Sequence, residues 1–408
     1  MFTKMEKTRV FRDPLYGYIS VDYKIIADLI DTRELQRLRR IRQLAGVGQV
    51  FQTAEHSRFT HSLGAYHMAN LVIHNVDGMD EVSDYDKMLL LIAALLHDVG
   101  HGPYSHAFES ITKVSHEEYT VKLITSPNTE INKVLSVQPG LADDVASIIA
   151  HTGKFPLIEA LVSSQLDVDR MDYLSRDAYM TGAAYGNIDY YRILRSLRII
   201  DGQVYCKASG VNSVESFLMS RYHMYFQVYY HPTARSFEVV LEMIYRRIYD
   251  LHEKGYRFEA KIGTFIKVLN DPENLEAYIE LDDSYVGGVI KQLVHSKDKV
   301  LSTLSKAFFN RHLFKVIDMD DEPEPEFVEE IRRKYAEMPD GKYFIKDVQS
   351  SGRAYNHTTK LEDINTITVL LPSGKAKTLE QFSPIIKSLT TKSYKVINRI
   401  YYFEGYEG

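Results

Sequence analysis

Nine consecutive apolar residues, Met88 to Leu96, run directly into His97-Asp98, and no other stretch constrains the fold as strongly. A bilayer span takes about 20 apolar residues, so this run predicts a buried helix. An imidazole and a carboxylate at the end of such a helix are costly unless something pairs with them. Gly100, Gly102 and Pro103 then end the helix and let backbone pass close to whatever the pair holds. His101 and His106 follow within nine residues of His97. Adjacent nitrogen and oxygen donors on a rigid support suit a divalent cation.

The 408 residues leave room for two or three domains, or for one large helical domain with an appendage. A net charge of -6 argues against general affinity for nucleic acid. Cys206 is the sole cysteine, which excludes an internal disulfide and points to a reducing compartment. The N-terminal residues lack the apolar core of a signal peptide and no segment is long enough to span a bilayer, so a cytoplasmic protein without a membrane partner is expected.

Residues 9–22 alternate around Pro14 and Gly17 and predict a hairpin or extended arm. Residues 25–44 predict one helix, with Leu35, Leu38, Ile41 and Ala45 as its apolar stripe. Its arginines, Arg33, Arg37, Arg39, Arg40 and Arg42, read most simply as a solvated face and alternatively as a phosphate-binding surface. A helix carrying His56, His61, His67 and His74 follows, on which Arg58 and His61 share a face. After the central run, HAFESITKVSHEEYTVKLI predicts a continuing helix with Glu109 and His116 on one side.

Between residues 163 and 182, Asp167, Asp169, Asp172 and Asp177 are interleaved with Arg170, Arg176 and apolar residues. Ion pairing accounts for the outer carboxylates, but one embedded in Leu-Asp-Val-Asp-Arg-Met is expected to complete the site begun by His97 and Asp98. A helix then gives way to a hairpin turning at Asp201-Gly202. An aromatic-rich helical stretch, residues 215–251, breaks at His231-Pro232 and has Arg221, Tyr229 and His231 as polar exceptions. Shorter helices reach Leu313, and DMDDEPEPEFVEE reads as a surface link. Strand character returns in KYFIKDVQS, TITVLLPSGKAKTL and SYKVINRIYYFEGYE, around one helix near QFSPIIKSL. The expected fold is mainly α: an arm or hairpin over 1–22, a large all-helical domain over 23–318 and a small C-terminal α+β appendage over 319–408.

RFTHSLG, HDVGHGPYSH and LDVDRMDYLSRD, in this order and spacing, resemble the HD-domain phosphohydrolases, and among them the deoxynucleoside triphosphate triphosphohydrolases, over roughly residues 9–240. The resemblance implies a metal held by His61, His97, Asp98 and Asp169, with Fe, Mn, Zn or Ni all suited to that set and Mg arriving on the triphosphate. It implies hydrolysis of a dNTP at the α-phosphorus to deoxynucleoside and triphosphate, with His106 as general acid and His101, His116 and Glu109 in the catalytic group. Glu109 stands where the vertebrate enzyme has aspartate, and Arg170 replaces a lysine. Arg58, Arg170 and Arg221 correspond to phosphate-binding positions, Tyr173 and Asp177 to sugar contacts with Gln43 and Leu44 opposite, and Tyr229 to a residue near the base. His231-Pro232 replaces a His-Lys pair, removing one cation.

By the same resemblance Arg9, Val10, Asp31, Gln36 and Arg39 would form an activator site for dGTP or GTP between subunits of a homo-oligomer, a tetramer. The family's SAM domain is expected to be absent. Two other readings retain the metal residues: a phosphodiesterase or phosphatase acting on another nucleotide or on single-stranded nucleic acid, and a non-catalytic nucleotide-sensing scaffold.

Overall fold

The apolar run forms the second half of a buried helix, Asp84–Leu96, whose start is set by Ser83 accepting the Asp86 amide. Asp84 and Asp86 occupy the first turn, where negative charge suits the helix dipole, and Met88 to Leu96 are all buried. The computed structural model describes residues 2–351, 366–391 and 396–406, and its fold is mainly α as expected. Helices Arg58–Asn75, Leu141–Ile149 and Pro156–Val162 pack around the central helix, and Val168–Thr181 packs on Arg58–Asn75. Among the described residues no helix is long and apolar enough to cross a membrane.

The chain leaves the central helix through His97-Asp98 and is pinned at once to the helix His116–Thr125. The Thr120 hydroxyl accepts the Gly100 amide at 2.9 Å and donates to the His97 carbonyl at 3.1 Å. A Cβ at Gly100 would lie 2.2 Å from the His116 carbonyl oxygen, so this approach requires glycine. The motif's glycine thus fixes where Asp98 and the histidines sit.

The N-terminal arm is an antiparallel hairpin, Lys4–Asp13 with Gly17–Tyr23. The second half of the molecule is built on the long helix Pro232–Glu253, which follows a π-helical turn at Tyr225–Tyr229. Pro232 occupies the first helical turn, where the missing N–H costs nothing. The hairpin Leu197–Ile200 with Gln203–Lys207 forms around Asp201 and Gly202, both at positive φ, as expected. It extends into a four-stranded sheet through Thr368–Leu370, parallel to Gln203–Lys207, and then Ala376–Thr378. A separate three-stranded antiparallel sheet places Val396–Tyr402 between Lys315–Asp318 and Ile345–Ser351.

Three local expectations are corrected. The helix expected over 25–44 divides into Lys24–Asp31 and Arg33–Arg37 and ends in a 3-10 turn at Arg40. Thr32 is extended and its hydroxyl caps the second piece, while Ile41 is extended as well. Within it Arg37 is buried rather than solvated, donating from Nε to the Leu281 carbonyl at 2.8 Å and lying over the Tyr278 ring. The helix expected after the central run divides at Lys113, which is left-handed, giving His106–Thr112 and His116–Thr125. The acidic link is shorter than its composition suggests, because Pro325 initiates the helix Pro325–Glu337.

Candidate metal centre and adjoining cavity

His61 from the helix Arg58–Asn75, His97 and Asp98 from the central loop and Asp169 from Val168–Thr181 converge. His61 Nε2 lies 3.2 Å from His97 Nε2, 3.1 Å from Asp169 Oδ1 and 3.7 Å from Asp98 Oδ2. His97 Nε2 lies 3.5 Å from both Asp169 Oδ1 and Asp98 Oδ1. Donors bound at about 2.0–2.2 Å in tetrahedral or octahedral geometry stand about 3–3.5 Å apart, so His61, His97 and Asp169 are spaced to hold one divalent ion, with Asp98 beside both imidazoles. Two imidazoles and two carboxylates also have the right chemistry.

The outer nitrogens of both imidazoles are occupied. His97 Nδ1 bonds the Ala94 carbonyl at 2.9 Å, and His61 Nδ1 bonds Asp172 Oδ2 at 2.8 Å. Asp172 also accepts from Arg176 Nε and Nη2 and from the Tyr16 hydroxyl, and Arg176 reaches Asp13 at the end of the first hairpin strand. This buried chain turns the His61 Nε2 toward the cluster, as the Ala94 carbonyl does for His97. It passes through Gly64, where a Cβ would meet Asp172 Oδ1 at 1.8 Å. The glycine of RFTHSLG is therefore the place where two helices touch through a carboxylate.

Charge follows the same layout. Burial opposes a charged His61, yet the hydrogen bonds to Asp169 and Asp172 outweigh it and raise the imidazole to about 10. Burial likewise opposes the Asp98 carboxylate, but His101, His97 and Arg58 hold it well below its ordinary range. Arg58 Nη1 donates to Asp98 Oδ2 at 2.5 Å, and its other nitrogens reach the Ser105 hydroxyl. Tyr104 and Ser105 are both at positive φ, unusual for side chains of their size, and this holds Ser105 against Arg58.

Beside this cluster Asp98, His101 and His116 form a second group. The His101 and His116 rings stack with centroids 3.8 Å apart, and Glu109 Oε1 lies 2.7 Å from His116 Nδ1 despite the break in the intervening helix. Burial, and after it the Arg58 charge, push His101 well below its ordinary value, while Asp98 opposes them. The side chain of His106 lies outside the described residues.

A cavity of about 460 Å³ opens on Asp98, Asp169, His101 and His116. Gln43, Leu44, Arg58, Tyr173, Asp177 and Tyr229 line it as well. Asp177 is gripped from two sides, by His56 Nε2 at 2.8 Å and by the Tyr229 hydroxyl at 2.7 Å. Arg170 and Arg221 are turned elsewhere: Arg170 Nη1 meets Asp167 and the Ser164 carbonyl, and Arg221 Nη1 donates to Gln165 at 3.0 Å. Sequence reasoning missed Tyr225, Tyr230, Arg235 and Glu238 on the cavity wall, and Asp172, Arg176, Tyr16, Asp13 and His56 behind it. The spacing of three from Asp169 to Asp172 was the available signal for one of these, since it puts both carboxylates on one helix face.

The remaining predicted group is assembled at the surface. Arg9 pairs with Asp31 at 2.7 Å, Gln36 bonds the Ile30 carbonyl, and Arg39 bonds Gln36 and stacks on Phe59, next to Arg58 in sequence. Val10 is exposed on the neighbouring strand.

The HD domain pattern matches residues 58–177 and an HD associated region matches 188–321. The protein YwfO of Bacillus subtilis is 40% identical over 404 residues, covering 98% of this chain and 93% of that protein. The deoxynucleoside triphosphate triphosphohydrolase SAMHD1 homolog of Dictyostelium discoideum is 28% identical over 344 residues, covering 78% of this chain and 61% of that one. A phosphohydrolase structure from Bacteroides thetaiotaomicron superposes with a TM-score of 0.83 at 28% identity, covering 98% of this chain and all of the other. The chain belongs to the HD-domain phosphohydrolases. Its relatives include SAMHD1-like dNTP triphosphohydrolases, and its His/Asp cluster is suited to the divalent metal that HD domains bind.

Proposed function

We propose that the protein hydrolyses deoxynucleoside triphosphates to deoxynucleoside and inorganic triphosphate. The observation that carries this is one cavity that joins the metal donors Asp98 and Asp169 to Tyr173, Asp177 and Tyr229. A phosphate oxygen at one end and a sugar at the other is the arrangement it accommodates. Gln43 Oε1, on the cavity wall, is buried without a hydrogen-bond partner among the described residues, which leaves it an acceptor for a ligand.

His61, His97, Asp98 and Asp169 would hold Fe, Mn, Zn or Ni. Bound there, a divalent cation acidifies water and neutralises charge on a phosphoryl oxygen. Arg58, already beside the cluster, supplies a fixed cation for the phosphates, with Mg entering on the triphosphate. His101 stacks on His116, which Glu109 orients. His106 is assigned the proton for the departing 5′ oxygen, on its place in the motif. Tyr173 packs against the deoxyribose, where a ribose hydroxyl would crowd it, and Asp177 bonds the 3′ hydroxyl. Burial pushes the Tyr229 phenol well above its ordinary value, so it remains a donor to Asp177.

Arg9, Val10, Asp31, Gln36 and Arg39 are assigned to a dGTP or GTP activator whose binding favours a homotetramer in the cytoplasm. The Arg39–Phe59–Arg58 succession supports this by joining the surface group to the metal helix. The test incubates purified protein with each dNTP, alone and with GTP, under Mn or Mg, and separates products by ion exchange while following mass by light scattering. Triphosphate release supports the reading, and a mixture requirement with a rise in mass supports the activator. Monophosphate or pyrophosphate instead of triphosphate would assign the site to a phosphodiesterase or phosphatase, and nucleotide-dependent assembly without turnover to a scaffold.

A further inference from the structure

The side chain of Arg399, on the strand Val396–Tyr402, reaches the backbone of the cavity wall. Arg399 donates from Nε to Asp318 Oδ2 at 2.8 Å on the adjacent strand and from Nη1 to the Tyr230 carbonyl at 2.5 Å. Arg399 is 12% exposed and Asp318 is 22%, so solvent competes weakly for either contact. Tyr230 closes the π-helical turn Tyr225–Tyr229, and Tyr225, Tyr229 and Tyr230 all line the cavity. Carbonyls at a helix end need a partner from outside the helix, and the following Pro232 has no N–H to give. A guanidinium at this distance is a strong substitute.

The contact sits where backbone geometry is least self-supporting. A π-turn carries one residue more than an α-turn and is frequent at functional sites. Here it aims the Tyr229 hydroxyl at Asp177 and delivers the chain to the helix bearing Arg235 and Glu238 on the same wall. The same sheet meets that helix through Lys346, which pairs with Glu242. Burial and then the Arg235 charge lower Lys346 to about 8, a sign of how closely sheet and helix are joined. Of the two cations, Arg399 is the one bonded to cavity-lining backbone.

We propose that Arg399 is a positioning residue for nucleotide binding: by capping the Tyr230 carbonyl it holds the π-turn, and with it the tyrosine wall, in the shape the ligand meets. The proposal rests on the reading of this cavity as the nucleotide site. It gives the C-terminal sheet a place in recognition although none of its side chains lines the cavity. Because Arg399 touches none of the metal donors, its loss acts on binding and spares the metal end.

The experiment compares full-length wild type, R399Q, R399K and D318N by steady-state kinetics on a dNTP, by hydrolysis of bis-p-nitrophenyl phosphate, and by amide hydrogen exchange. R399Q is expected to raise KM about tenfold with kcat within about twofold, to leave the small diester's turnover unchanged, and to speed exchange over 225–235 but not over 58–75 or 168–181. R399K recovers part of the KM, and D318N shows a weaker form of the same change. Equal losses on both substrates, or unchanged exchange over 225–235 in R399Q and D318N alike, would overturn the proposal. If wild type hydrolyses no nucleotide, the substrate reading falls on its own, while exchange over 225–235 still decides whether Arg399 holds the turn.

Discussion

The two ends of the cavity are held by different means. At the metal end both histidines are backed by buried partners: Asp172 behind His61, Arg176 and Tyr16 behind Asp172, Asp13 behind Arg176, and the Ala94 carbonyl behind His97. At the tyrosine end the wall is one irregular turn, kept in place by the hydroxyl of Tyr229 on Asp177 and by Arg399 on Tyr230. Metal donors must be fixed within fractions of an ångström, and the buried partners supply that rigidity. Substitutions at the first end should act nearly all-or-none and those at the second by degrees.

The largest effect is expected from D169A, which removes a donor and its charge. Metal content by atomic emission should fall toward zero, and turnover of both a dNTP and bis-p-nitrophenyl phosphate by about 10³-fold or more. Next comes D172N, which leaves the donors in place but loosens His61; metal affinity is expected to fall about 10–100-fold in a folded protein. Wild-type affinity here would show that the buried chain does not set the donors, and the contrast between the ends would collapse.

Proton competition sharpens the same point. His61 is held protonated up to about 10 in the metal-free protein and binds an ion only when deprotonated. Below that pH apparent metal affinity should weaken about tenfold per unit for each proton displaced, and rise again with alkalinity. Titration with a metal buffer at several pH values measures the slope, and a flat profile would mean that binding displaces no proton from His61.

At the other end Y229F deletes one hydrogen bond to Asp177. A cost of about 1 kcal/mol corresponds to about fivefold in KM with kcat little changed. The smallest effect is expected outside the cavity, from R9A. Its partner Asp31 is exposed, so unfolding stability should change by no more than about 1 kcal/mol. A loss of GTP-dependent activity in this variant would identify the surface group as an activator site, and full retention would remove it from that role.

Much of the architecture was legible because it is written in local patterns. The unbroken run before His97, the turn at Asp201-Gly202 and the break at His231-Pro232 each reflect short-range chemistry, and the elements follow. What escaped depends on partners distant in sequence. Arg37 looks like its solvated neighbours until Leu281 and Tyr278 close over it. Asp172 reads as one more ion-paired aspartate until His61 arrives from more than a hundred residues away. The parallel pairing of Thr368–Leu370 with Gln203–Lys207 likewise has no local signature. In the site, residue types and order could suggest His61, His97, Asp98 and Asp169, which the fold brings together. They could not show that Arg170 and Arg221 face Asp167 and Gln165.

Gly64 carries a consequence for how such sequences are compared. Its missing side chain is filled by a carboxylate from another helix, so the position records the spacing between two helices. A descendant that had abandoned hydrolysis but kept this packing would still need glycine there. Selection for shape and selection for reactivity are therefore superimposed in RFTHSLG. Asp169 separates them: as a partly exposed aspartate whose neighbours are the ion's other donors, it has little reason to persist once the reaction is lost.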